Sequence, residues 1–137
     1  MVTTPAPRPR PPATRASERG AAALEFALVL PILLMLVFGI ITFGRAYHAK
    51  VSLAGGVREG ARALALGKSA SDAQAATIDA AGGLGLDAGD ISTEGCPAGG
   101  ADGTARVEAT YDLDYTIPLV NSGTLTITAD GAMRCGL

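Results

Sequence analysis

Between Ala21 and Gly44 the chain is apolar almost throughout, with Glu25 as its one charged side chain. These 24 residues would make a helix about 36 Å long, enough to cross a hydrocarbon core of about 30 Å. The pattern predicts a transmembrane helix over 21–44. It is too long for the apolar part of an ordinary secretory signal, which runs to about 7–15 residues. Pro31 cannot donate to the carbonyl of Ala27, so a kink or local loosening is expected there. Gly39 and Gly44 would let a neighbouring helix approach closely, although glycines are common in membrane helices.

After the span the apolar positions thin out. Val51, Ala54, Val57, Ala61 and Leu64 recur at spacings of three or four. That spacing predicts that the helix continues over Tyr47–Leu66 with one apolar stripe. Glu59 and Arg62 are placed to pair at i, i+3. Gly55-Gly56 weakens the middle of this segment, and Gly67 is a natural stop. A second short helix is expected over Ser71–Ala81. Ser69 or Ser71 would cap it, Asp72 would sit at its positive end, and Gly82-Gly83 would close it.

The remainder changes to period two. Val107, Ala109, Tyr111, Leu113, Tyr115 and Ile117 alternate with Glu108, Thr110, Asp112, Asp114 and Thr116. Leu125, Ile127 and Ala129 alternate with threonines and Asp130 in the same way. Each run reads as a strand with one wet face. Pro118–Gly123 would connect them, with Asn121-Ser122-Gly123 as turn residues. Asp90–Glu94 is a candidate third strand.

The predicted class is α+β. A long N-terminal transmembrane helix continues into a soluble helix, followed by a small antiparallel sheet of two to three strands stapled by a disulfide. Four segments follow: a Pro/Arg-rich leader over 1–20, the transmembrane helix over 21–44, a helical stalk over 45–82, and a small extracytoplasmic β-rich domain over 83–137. Pro5, Pro7, Pro9, Pro11 and Pro12 forbid a helix in the leader, so it is expected to be disordered.

Composition changes the picture in two respects. Trp is absent and aromatics are few, so the soluble part cannot build a large core of bulky side chains, and a domain of this size needs a staple. Cys96 and Cys135 have no metal-ligand spacing, and the only histidine, His48, is far away in sequence. A disulfide is the better reading if the domain lies outside the cytoplasm. It would close a loop of 39 residues (135 − 96) and contribute roughly 3–4 kcal/mol on the chain-entropy model.

Charge is uneven. Residues 1–20 carry four arginines and one glutamate, net +3; residues 21–137 carry seven basic and twelve acidic side chains, net −5. From Ser71 onward only Arg106 and Arg134 face ten acids, which is not the footprint of a nucleic-acid binder. Basic residues flank both ends of the span, so the positive-inside rule does not decide orientation. The cysteine pair and the acidic C-terminal part favour a cytoplasmic N-terminus.

Candidate catalytic chemistry is sparse. There is no Gly-x-Ser-x-Gly elbow, no Walker loop and no dinucleotide fingerprint. His48 sits at the membrane edge and reads as an interfacial side chain. Asp112 and Asp114 share a strand face and could hold calcium, but they fit the wet side of an alternating strand better. No metal, cofactor or enzymatic activity is expected.

An acidic residue inside a membrane helix costs roughly 2.5–3.5 kcal/mol on insertion scales, so Glu25 calls for a reason. It lies five residues after Gly20. A peptidase cutting after Gly20 would make Ala21 the new N-terminus and Glu25 the fifth residue. Glu25 of one subunit could then pair with the Ala21 ammonium of a neighbour in a low-dielectric setting. The alternative is a single-pass anchor whose glutamate snorkels or is neutral near the interface. On position alone both readings stand.

The stretch Arg-Gly-Ala-Ala-Ala-Leu-Glu-Phe-Ala-Leu-Val-Leu-Pro (Arg19–Pro31) resembles TadE-like pseudopilins of tight-adherence pilus systems. Phe43-Gly44-Arg45, Arg58-Glu59-Gly60-Ala61-Arg62 and the Ala132-Met133-Arg134 ending are also similar. The resemblance covers 19–66 and, more loosely, 107–135. It implies a minor pseudopilin, made as a prepilin, cut by a membrane prepilin peptidase and used in building Flp-type pili. It implies Gly20 and Ala21 as the cleavage site, Glu25 in processing or assembly, and Phe26 beside it. It implies as partners the prepilin peptidase, other pilin or pseudopilin subunits, the assembly platform and the membrane. The location implied is the cell membrane, single-pass, with the C-terminal domain extracytoplasmic. The rival reading is an unprocessed signal-anchored envelope protein with a small ligand- or cell-wall-binding domain.

Overall fold

A computed structural model describes residues 15–97, 103–118 and 120–136. One helix dominates it. α1 runs over Arg15–Ala65, 51 residues, and Pro31 does not interrupt it. It begins inside the segment expected to be a non-helical leader. The reason is positional: the last leader proline is Pro12, and nothing after it forbids helix. The proline-rich stretch itself lies outside the described residues.

α1 ends at Ala65, with Gly67 at φ 79°. The Gly67 amide donates to Leu64 and the Lys68 amide to Ala63, so two terminal carbonyls are satisfied. α2 spans Ala70–Ala80. Its Ser69 cap accepts from the Asp72 amide, while the Asp72 carboxylate accepts from the Ser69 amide, forming a capping box. The Ser69 hydroxyl also donates to that carboxylate at 2.7 Å; this bond first, and then the one from the Ser69 amide, hold the Asp72 carboxyl below its ordinary range.

The sheet has the order β1 (Ile91–Glu94), β2 (Thr104–Ile117), β3 (Asn121–Arg134), antiparallel throughout. β2 and β3 contain the predicted runs and reach beyond them, while β1 starts one residue later than the expected Asp90–Glu94, because Asp90 closes a 3-10 turn over Ala88–Asp90. The turn is shorter than expected. Asn121, Ser122 and Gly123 are strand residues paired with Ile117, Thr116 and Tyr115. The reversal falls between Ile117 and Asn121, where the Val120 amide donates to the Ile117 carbonyl. A Cβ on Gly123 would lie 3.0 Å from the Tyr115 hydroxyl, so the Tyr115 side chain packs across the glycine.

The odd-numbered residues of the sheet face the helices. Ile91, Ala105, Val107, Ala109, Leu113, Ile127 and Ala129 are buried against Ala49, Leu53, Val57, Ala61 and Leu64 of α1. The stripe on α1 is therefore shifted from the one expected: Leu53 is buried and Val51 is exposed. The second half of α1, α2 and the sheet share this one core. Small residues make it possible. A Cβ on Gly56 would lie 2.7 Å from the Thr77 carbonyl, and one on Gly60 would collide with the Thr77 hydroxyl. A Cβ on Gly131 would lie 2.5 Å from the Val57 carbonyl. The buried Thr77 hydroxyl donates to the Ala73 carbonyl at 2.8 Å, so no orphaned polar group results.

Candidate processing site and membrane segment

Gly20, Ala21, Glu25 and Phe26 all lie on α1, and all are exposed; Phe26 is 64% accessible. Ala21 and Glu25 are four residues apart, so they share a face one turn apart, about 6 Å along the axis. Gly20 is one residue further back. A Cβ on Gly20 would meet nothing within 4 Å. Packing inside this fold therefore does not require glycine at that position. Gly39 and Gly44 are equally open.

The apolar segment of α1 touches little of its own domain. None of its residues from Gly20 to His48 is buried, and Leu24, Leu28, Ile32, Leu36, Ile40 and Phe43 are each more than half exposed. An apolar surface of that length is costly in water, and it is long and apolar enough to cross a membrane. α1 is a candidate membrane span with Glu25 as the only ionisable group between its two basic flanks.

The other predicted site residues lie away from this segment. Cys96 and Cys135 form a disulfide with their Cα atoms 5.8 Å apart. The bridge follows β1 and β3 at the end of the domain remote from the span, with the Cys96 sulfur 3.8 Å from the Leu64 carbonyl oxygen. The Cys135 amide donates to Gly103 at 2.9 Å, which ties the last strand to the start of β2. Glu59 and Arg62 pair at 3.6 Å on the exposed face of α1, a contact worth a few tenths of a kcal/mol.

Asp112 and Asp114 are engaged within the hairpin. Thr126 donates to Asp112 at 2.6 Å and Thr124 to Asp114 at 2.8 Å. These are cross-strand pairs on the wet face, as alternation suggests. Among the described residues no group of three or more metal-binding side chains is assembled.

Sequence reasoning missed the role of Gly56, Gly60, Thr77 and Gly131 in bringing three backbones together. A signal was present: Gly56 and Gly60 are four apart, and small residues at that spacing on a helix admit a neighbour closely. It also missed Lys50, whose ammonium donates to the Thr128 carbonyl and so clips the helix to β3.

No curated protein and no solved structure matches the chain. Residues 20–62 do match a protein family, described as TadE-like protein. The matched stretch begins at Gly20, takes in the whole apolar span, and ends in the packed part of α1. The likeness is of this segment and covers less than a third of the chain.

Proposed function

We propose that this chain is a minor pseudopilin of a tight-adherence pilus system, made as a prepilin and cut between Gly20 and Ala21. In this reading 1–20 is a cytoplasmic leader and 21–44 crosses the membrane. Residues 45–82 and 83–137 pack together outside the cytoplasm. Its partners are a prepilin peptidase, other pilin or pseudopilin subunits and the assembly platform.

The observation that carries the reading is the segment Gly20–Phe26: an open glycine followed at the fifth residue by the only charge of the span, on a helix with no contacts to its own domain there. Since packing leaves Gly20 and Glu25 free, a role for them lies in something outside the fold. A peptidase needs access to the peptide bond after Gly20. That bond is helical, but the helix from Gly20 to Phe26 is exposed, and glycine lowers its helical stability by about 1 kcal/mol. After cutting, the Ala21 ammonium and the Glu25 carboxylate offset each other's cost in lipid, between neighbouring subunits, and set their register.

The test is the N-terminus of the native protein extracted from membranes, read by intact mass and terminal sequencing. A chain starting at Ala21 supports the prepilin reading. A chain starting at Met1 or Val2 overturns it in favour of a signal-anchored envelope protein.

A further inference from the structure

The height of the β2–β3 hairpin along α1 follows from three contacts. Gly131 lies against the Val57 carbonyl. Leu113 lines a cleft with Ile41 and Gly44, and Leu125 lines another with Phe43 and Tyr47. Leu113 and Leu125 are cross-strand partners, so one rung of the hairpin sits level with Ile41–Tyr47. From Gly131 to Leu125 the strand advances six residues, about 20 Å. From Val57 back to Ile41–Tyr47 the helix retreats 10–16 residues, about 15–24 Å. Strand and helix therefore run side by side with little crossing. Four more rungs lead to Ile117 and Asn121, about 13 Å further, which is the rise of about nine helical residues. The last rung is level with a residue between Ile32 and Phe38, inside the apolar run.

This end of the hairpin is not built for hydrocarbon. Asp114, Thr116, Asn121 and Ser122 are exposed, and Asp114 holds its carboxylate beside the Thr124 hydroxyl. Its edges are open as well. β1 covers β2 only as far as Ala109, and β3 is an outer strand, so among the described residues neither edge has a strand partner here. Open sheet edges do not occur in the hydrocarbon of a bilayer, because each unpaired N–H or C=O there is costly. Withdrawing the end of the apolar run from lipid is the cheaper arrangement. On insertion scales one aspartate in the bilayer offsets the gain from about six isoleucines or phenylalanines. Between Phe38 and Gly44 there are four such residues, Phe38, Ile40, Ile41 and Phe43.

Bilayer thickness sets the opposite limit. A helix that begins its crossing at Ala21 needs at least about 17 residues, which carries it to Val37. The hairpin allows hydrocarbon no higher than Phe38, and the bilayer requires it up to Val37. We infer that the hydrocarbon contact of α1 ends at about Val37, nearly two turns before the apolar run does. Phe38–Gly44 then stand in the headgroup layer and just outside it, beside the hairpin, whose polar end limits how far α1 can sink. The inference rests on the reading of α1 as a membrane span and shortens that span.

The chain has no tryptophan, so single reporters can be placed without background. Leu28, Ile32, Leu36 and Ile40 follow one another every four residues along α1, and each is more than half exposed. Full-length Leu28→Trp, Ile32→Trp, Leu36→Trp and Ile40→Trp proteins are reconstituted in phosphatidylcholine vesicles with bromines near the acyl-chain ends. Intact mass checks that the bridge has formed. The expected result is that Leu28→Trp is quenched by these bromines at least about twice as strongly as Leu36→Trp, while aqueous iodide reaches Ile40→Trp and not Ile32→Trp. If the whole run lies in hydrocarbon, Ile32→Trp is the deepest reporter, Leu28→Trp and Leu36→Trp are quenched alike, and Ile40→Trp is shielded from iodide. That pattern overturns the inference and leaves the span reading standing. If the bromines reach none of the four, α1 is outside the bilayer, and the span reading fails first and takes the inference with it.

Discussion

The two halves of α1 are built from similar residues and behave in opposite ways. Ala21–Arg45 is the more apolar half, yet none of it is buried, and its Gly39 and Gly44 have open space where a Cβ would go. Ala46–Ala65 carries Lys50, Arg58, Glu59 and Arg62, yet it contributes Ala49, Leu53, Val57, Ala61 and Leu64 to the core, and its Gly56 and Gly60 are crowded by α2. Hydrophobicity in the first half is left uncovered by the fold, as in a candidate membrane span; in the second half it matches a partner surface. Burial of the second half depends on shape. More than half of the core residues are alanine, so the backbones must come close to exclude water, and glycine is what lets them.

The disulfide is the largest lever on that difference, because it acts on the packed half alone. Cys96→Ser is expected to cost the domain roughly 3–4 kcal/mol, from the loop of 39 residues that the bridge closes. For a core this thin that is a large fraction of total stability. Thermal unfolding with and without reductant checks it, and the helicity of the 21–44 segment in detergent should survive. Equal melting under both conditions would remove the bridge from the stability argument.

Glycine substitutions set the halves against each other directly. Gly131→Ala and Gly60→Ala push a methyl into the Val57 carbonyl and the buried Thr77 hydroxyl, and each is expected to cost about 2–3 kcal/mol. Gly39→Ala meets nothing within 4 Å and should leave unfolding of the domain unchanged. If all three behaved alike in chemical denaturation, the contrast between packed and open glycines would be wrong.

This contrast also marks what was legible in the sequence. The long apolar helix, its continuation, α2 and the strands at 107–117 and 125–129 were readable, because each has a period in the sequence; the cap of α2 was readable only as Ser69 or Ser71, and the structure selects Ser69. The cysteine pairing was readable because only two cysteines exist. Gly56 read only as a helix weakener, since propensity is local and the reason for it, Thr77, is 21 residues away. The Asn121-Ser122-Gly123 group read as a turn for the same reason. Its composition favours turns, but pairing with Ile117, Thr116 and Tyr115 outweighs local preference. The choice of Leu53 over Val51 depends on how α1 is rotated against the sheet, which no window of one helix contains. Gly20 and Glu25 were singled out by position and resemblance. The structure puts them on one exposed helix, and their chemistry awaits a partner.

Glu25→Ala probes the exposed half without touching the packed one. Removing the charge should ease insertion, by up to about 2.5–3.5 kcal/mol on insertion scales. Domain unfolding should not change, because Glu25 contacts none of the core. Assembly is where the loss is expected: cells carrying the variant should contain the protein in the membrane but lack pili. Normal piliation would sink the pairing of Glu25 with a neighbouring Ala21 ammonium.

The smallest effect belongs to the Asp72 cap, at the surface of the packed half. Its carboxyl is held below the ordinary range by the Ser69 hydroxyl and amide. A carboxyl with a lowered folded-state pKa contributes stability above its unfolded value, about 3.9, and loses it as pH falls through the folded one. The cap is exposed, so solvent screens it and the contribution is slight. Stability should therefore be flat from neutral pH to about 4 as far as this group is concerned, and decline slightly below that. Asp72→Asn should abolish that share of the decline while keeping α2 in place. Hydrogen exchange at the α2 N-terminus, compared between the two proteins at acidic and neutral pH, isolates it. Identical pH dependence in both would mean that the capping box adds nothing to the fold beyond its geometry.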